Sequence, residues 1–235
     1  MKLNKVLALA LSGVMAVSML AGCSGAPVNG EQEGEQEGPI AVEGDISDGV
    51  AGNIEEVPSY VKFEADSALS NSLNYVVGFA NVWQINAAYL ENDLKEISGR
   101  FDDLQDRLEK SVGMTKWDPK PWDKNDTTLD LTIKEIGSSE VLKAAEYPDD
   151  VAIDDAKAVQ LYAASGVIEE DALNTLVAEA IEDIIKSYNH VCRAGGNNGI
   201  YDHSYTVSVS TDVKSDNGIT ATFVAVQVVR SSVRS

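Results

Sequence analysis

Only two of the 235 residues are cysteine, Cys23 and Cys192. A disulfide framework would need more, so the folded part must hold together through an apolar core. Basic residues are scarce as well: 18 Lys and Arg stand against 38 Asp and Glu, for a net charge of −20. Neutralising a phosphate backbone takes clustered Lys and Arg, so nucleic acid is excluded as an ordinary partner. The same deficit argues against electrostatic adhesion to an anionic membrane surface. No apolar run reaches the about 20 residues of a comfortable transmembrane helix. Metalloprotease, nucleophile-elbow, nucleotide-loop and paired zinc motifs are absent, and no cofactor is implied.

What is present begins with an address. Lys2 and Lys5 precede an apolar stretch from Val6 to Leu20, interrupted only by Ser12, Gly13 and Ser18, with no acidic residue before position 31. A positive start, a short apolar segment and small residues at its end describe a secretory signal peptide. The segment closes on Leu20-Ala21-Gly22-Cys23, which resembles the lipobox of bacterial lipoproteins. That resemblance covers about the first tenth of the chain and implies that Met1–Gly22 is removed and that the Cys23 thiol carries a diacylglyceryl group. It further implies a bacterial cell-envelope location, anchored to the membrane and facing outside the cytoplasm. Two acyl chains suffice as an anchor, at roughly 0.8 kcal/mol per buried methylene. Loss of Lys2 and Lys5 leaves 16 basic and 38 acidic residues, a net charge of −22, and a single unmodified cysteine, Cys192.

From residues 24 to 57 there are nine acidic residues and no basic one, with Glu-Gln-Glu-Gly twice between Glu31 and Gly38. Such a composition reads as a disordered tether, residues 23–57 including the lipidated cysteine, spanning roughly 30 Å. Residues 58–235 are long enough for a single globular domain. Within it, Leu73, Val76, Ala80, Trp83, Ala87, Leu90, Leu94, Ile97, Phe101, Leu104 and Leu108 step by three and four without a fault. That stripe predicts one long amphipathic helix running across Gly99 to about Gly113. It packs inside its own domain or against a second copy as a coiled coil. Trp83 and Phe101 are bulky for a two-stranded seam, which favours the first.

The prolines of Trp117-Asp-Pro-Lys-Pro-Trp122 exclude helix there. Leu129, Leu131 and Ile133 alternate with polar residues as in a short strand. Further helices are expected from Ser138 or Ser139 to about Tyr147, from Asp154 to about Ser165, and from about Glu169 to Asn189. Asn217-Gly218 marks a tight hairpin turn. It sets Val213 against Thr222, Thr211 against Val224, Val209 against Val226 and Val207 against Val228, all on one face. The other face carries Ser208, Ser210, Asp212 and Gln227 and is expected to meet water or another strand. The fold class is therefore α+β: helices, then a C-terminal β-hairpin in a small antiparallel sheet.

Four constellations bear on chemistry. His190, Cys192, Asp202 and His203 are the residue types of a thiol nucleophile with base and orienter, or of a metal site. Against that, residues 190 and 192 stand two apart near a helix end, where side chains diverge, and a buried small thiol beside two surface histidines is the plainer reading. The glycine-rich 194–199 segment runs from helix to strand, the wrong direction for a phosphate cradle. Residues 123–134 begin like a calcium loop but have Thr128 at the sixth place and Lys134 at the twelfth. Two of the three tryptophans, Trp117 and Trp122, lie in the rigid proline loop, where they form a stacking platform for sugar rings or a peptide, or else pin the loop to the core.

Together these readings describe a membrane-anchored surface module that binds a protein or glycan without catalysis, with Trp117 and Trp122 as binding residues and Cys23 as the lipid site. A cell-envelope enzyme using Cys192 with His190 or His203 is the alternative. A structural homo-oligomer built on the Leu73–Leu108 stripe is the third. No metal site is assigned.

Overall fold

The computed structural model describes residues 41–88, 93–114, 132, 133, 136, 146, 147, 156–194 and 199–235. Its spine is the C-terminal hairpin of β8 (Gly199–Asp216) and β9 (Ile219–Arg234). Asn217 and Gly218 both have positive φ, 50° and 79°, the mirror-image turn whose twist matches the strands it joins. The register is the one the valines predict: Val207 faces Val228, Val209 faces Val226, and Thr211 faces Val224.

The sheet is larger than a hairpin. Its nine strands include the order β3-β6-β9-β8-β7-β5. Antiparallel β6 (Ala156–Ser165) flanks β9, and antiparallel β7 (Val191–Ala194) flanks β8. Short strands line the edges. β1 (Gly44–Asp45) and β2 (Val61–Phe63) pair with β8, β3 (Lys95–Glu96) and β4 (Thr132–Ile133) with β6, and β5 (Glu146–Tyr147) with β7.

Helices cover both faces. On one lie α1 (Ser47–Asn53) and α5 (Glu170–Lys186), over Val207, Val209, Val224, Val226 and Val228. α5 buries Leu173, Val177, Ile181 and Ile185, one side chain per turn, and its acids Glu170 and Asp171 sit at the positive end of the helix dipole. α1 and α5 approach closely at Gly49, where a Cβ would run into the side-chain amide of buried Asn174 and force it to shift. On the opposite face lie α2 (Ser67–Val77), α3 (Val82–Ala88) and α4 (Asp102–Ser111), the last entered through a 3₁₀ turn (Gly99–Phe101). They bury Leu73, Leu104 and Leu108 against Val159, Leu161, Phe223 and Ala225. The architecture is α+β, with a mostly antiparallel sheet between two helical layers.

Several expectations are corrected. The stripe from Leu73 to Leu108 is not one helix: α2 stops at Val77, residues 95–96 are a strand, and α4 starts at Asp102. Most stripe residues are nevertheless buried, because α2, α3 and α4 all pack on one sheet face. The phase slips across the turn at Gly78–Ala80, so α3 buries Val82 and Ile85 and turns Trp83 outward. The segment from Asp154 is strand β6 rather than a helix. Glu146 and Tyr147, expected to end a helix, form β5, and residues 138–145 lie outside the described residues. The acidic stretch read as tether through residue 57 already contains β1 and α1, where Ile46, Val50 and Ile54 join the core at four-residue intervals.

The polar side of the hairpin is buried as well. Ser70 Oγ meets Ser210 Oγ at 2.8 Å, Asn74 Nδ2 donates to Asp212 at 3.2 Å, and Gln227 Nε2 donates to Asp66 at 2.8 Å. Asp66, Ser70 and Asn74 recur every four residues, so α2 lays a polar seam along β8. Burial raises the Asp212 carboxyl above its usual range. At the edge of β6, Gln105 of α4 acts as a missing strand: its Nε2 donates to Val159 O and its Oε1 accepts from Leu161 N, both at 2.8 Å. Among the described residues no helix is long and apolar enough to cross a membrane.

Candidate functional site

The residues that bear chemistry fall at two places. The first is the helical layer of α2, α3 and α4. Their buried faces fix what points outward: Tyr75, Phe79 and Trp83 are about half exposed, at 56%, 50% and 53%. Large aromatics left in water on a body with a full core mark a recognition surface more often than chance. Tyr75 and Phe79 meet edge to face, ring centres 5.1 Å apart. The Arg107 guanidinium lies 4.4 Å from the Phe79 ring centre, a cation–π contact from α4.

Beside Tyr75 and Phe79 opens a cavity of about 440 Å³ lined by Tyr75 of α2 and by Asp103, Asp106, Arg107, Lys110 and Ser111 of α4. The α4 residues recur at three- and four-residue steps and so share one face of that helix. The volume lies within the roughly 300–1,000 Å³ typical of small-ligand sites. One lysine holds the turn that carries Phe79. Lys214 Nζ on β8 donates to the carbonyls of Val77, Gly78 and Ala80 at 3.1, 2.8 and 2.8 Å, closing the C-terminus of α2. A cation at that end also opposes the helix dipole.

The second place is the far end of β8, on the face covered by α5. His190 Nδ1 lies 2.8 Å from the His203 carbonyl oxygen, and its ring stacks on Tyr60 at 5.1 Å. Ser232 Oγ lies 3.0 Å from His203 Nδ1. Tyr205 donates to Asn189 O, Tyr60 to Tyr188 O and Tyr188 to Ile136 O. Burial pushes the His203 imidazole down to about 4, helped by the Arg230 and His190 charges and opposed by Asp202. Burial likewise raises the Tyr188 phenol. Cys192 is fully buried, its thiol donating to Arg193 O at 3.7 Å. The histidines hold the chain at this end of the sheet, and the thiol is sealed from solvent. Among the described residues no group of three or more His, Cys, Asp or Glu could hold a metal.

Of the residues singled out from sequence, His190, Cys192 and His203 are thus brought into one region, with Asp202 exposed on the opposite face of β8. His190 is exposed as expected, but His203, expected at the surface, is buried because its side chain points to the face that α5 covers. Trp117 and Trp122, the calcium-like segment and Cys23 lie outside the described residues. The sequence reading missed Tyr75, Phe79 and Arg107 and placed Trp83 in the core. Their only signal was position: aromatics falling between the buried steps of an apolar stripe. The chain matches no family model, no curated protein and no solved structure.

Proposed function

We propose that this protein is a bacterial cell-envelope lipoprotein, held at the outer face of a membrane by a lipid on Cys23, whose folded body is a non-catalytic module that binds a protein or glycan. The exposed aromatics Tyr75 and Phe79 beside a charged cavity, with Trp83 exposed on the same helical layer, carry the binding half of this reading. Trp117 and Trp122 are proposed as a second recognition pair. The signal segment and lipobox carry the anchor. The thiol-enzyme reading gains less support, since Cys192 is buried and both histidine Nδ1 atoms are engaged. The coiled-coil reading loses its basis where stripe residues such as Leu73, Leu104 and Leu108 lie in the chain's own core.

The test follows the full chain in cells fed an alkynyl fatty acid. The native protein is expected to take up the label and stay with the membrane, and Cys23→Ala to lose both. A labelled, membrane-held Cys23→Ala protein would sink the anchor. For binding, native protein is expected to retain a component of protein or glycan fractions from its own envelope, and the Tyr75→Ala, Trp83→Ala double variant to lose it.

A further inference from the structure

The cavity between α2 and α4 has a lining that selects among ligand classes. Among the described residues its charged side chains balance, Asp103 and Asp106 against Arg107 and Lys110, on a chain whose net charge is −20. Acceptors and donors share one helix face with the Ser111 hydroxyl. A free anion or a lipid headgroup would call for donors alone. A ligand whose rim carries many groups able both to donate and to accept suits a lining that offers both.

Two contacts prepare the cavity for such a ligand. Phe79 holds Tyr75 edge to face, which fixes the phenol ring while at most one contact surface is used, and Tyr75 remains 56% exposed. The Arg107 guanidinium carbon lies 4.4 Å from the Phe79 ring centre, and Arg107 makes no ion pair or hydrogen bond with any described residue. A guanidinium presents a planar fork of N–H donors that matches paired oxygens.

We propose that this cavity binds an uncharged saccharide, the apolar C–H face of a pyranose ring lying on Tyr75 while adjacent hydroxyls donate to Asp103 and accept from Arg107. The proposal rests on the surface-module reading and narrows it to one ligand class. It is tested with the purified full chain by calorimetry and saturation-transfer NMR against millimolar malto-, cello- and chito-trisaccharides. A trimer of galacturonic acid serves as the anionic control. At least one uncharged trisaccharide is expected to bind, with little dependence on salt, and Tyr75→Ala and Arg107→Ala each to weaken it about tenfold or more at unchanged circular dichroism. Absence of binding by every uncharged trisaccharide overturns the proposal, and so does binding that both variants leave intact. Should a protein partner be lost in those variants while no saccharide binds, the saccharide class falls and the surface-module reading stands.

Discussion

At the scale of single residues, His203 is the most exposed to a change of conditions. It is 1% accessible, its Nε2 has no hydrogen-bond partner among the described residues, and burial with the Arg230 and His190 charges pushes it down to about 4. An unfolded histidine takes its proton near pH 6.5. Between those values the unfolded chain binds a proton that the folded chain refuses, so stability is full above pH 6.5 and falls as pH drops towards 4. The loss integrates to on the order of 3 kcal/mol. Urea unfolding of the native protein and of His203→Asn across this range should show a stability difference that shrinks with acid. A constant difference would mean that His203 protonates freely in the folded state.

At the scale of elements, the same small motif both shapes α2 and aims its aromatics. Lys214 closes three carbonyls at the end of the helix, so Lys214→Met, which keeps the apolar stem, is expected to cost about 1–3 kcal/mol. Denaturant midpoints would show it, and a loss below about 0.5 kcal/mol would place the ammonium in water instead. Elements are also where the sequence was read well and badly. The β8–β9 hairpin was legible to the residue because a two-residue Asn-Gly turn permits one register, and six valines agree with it. α5 was legible because its apolar spacing is regular and its ends carry the right charges. β6 was not: Ala156-Lys-Ala-Val-Gln-Leu-Tyr-Ala-Ala is alanine-rich because helices press on both faces of the strand, and Asp154 and Gly166 imitate helix caps. The 73–108 stripe reported a true common environment and a false continuity. Three short helices on one sheet face keep nearly the same apolar step, and the outward turn of Trp83 and Ala87 betrays the slip. The cavity was therefore illegible, since it depends on how α2 and α4 sit side by side.

At the scale of the whole molecule, one sheet serves two cores. β6, β8 and β9 send alternate side chains to opposite faces, so Val226 packs beneath α5 and its neighbour Ala225 beneath the layer of α2, α3 and α4. Among the described residues the main apolar partner of each helical layer is that sheet. Removing one layer leaves half of each central strand's side chains in water, which couples the two faces into one folding unit. Ile181→Ala in α5 is expected to cost about 2–5 kcal/mol and Phe223→Ala on the other face about 3–5 kcal/mol, since both sites are fully buried. Each should shift a single transition, with near-ultraviolet and far-ultraviolet circular dichroism giving coincident midpoints. Midpoints that separate in either variant would show the layers unfolding independently. Coincidence would mean that the groove on one layer inherits its rigidity from a core it never touches.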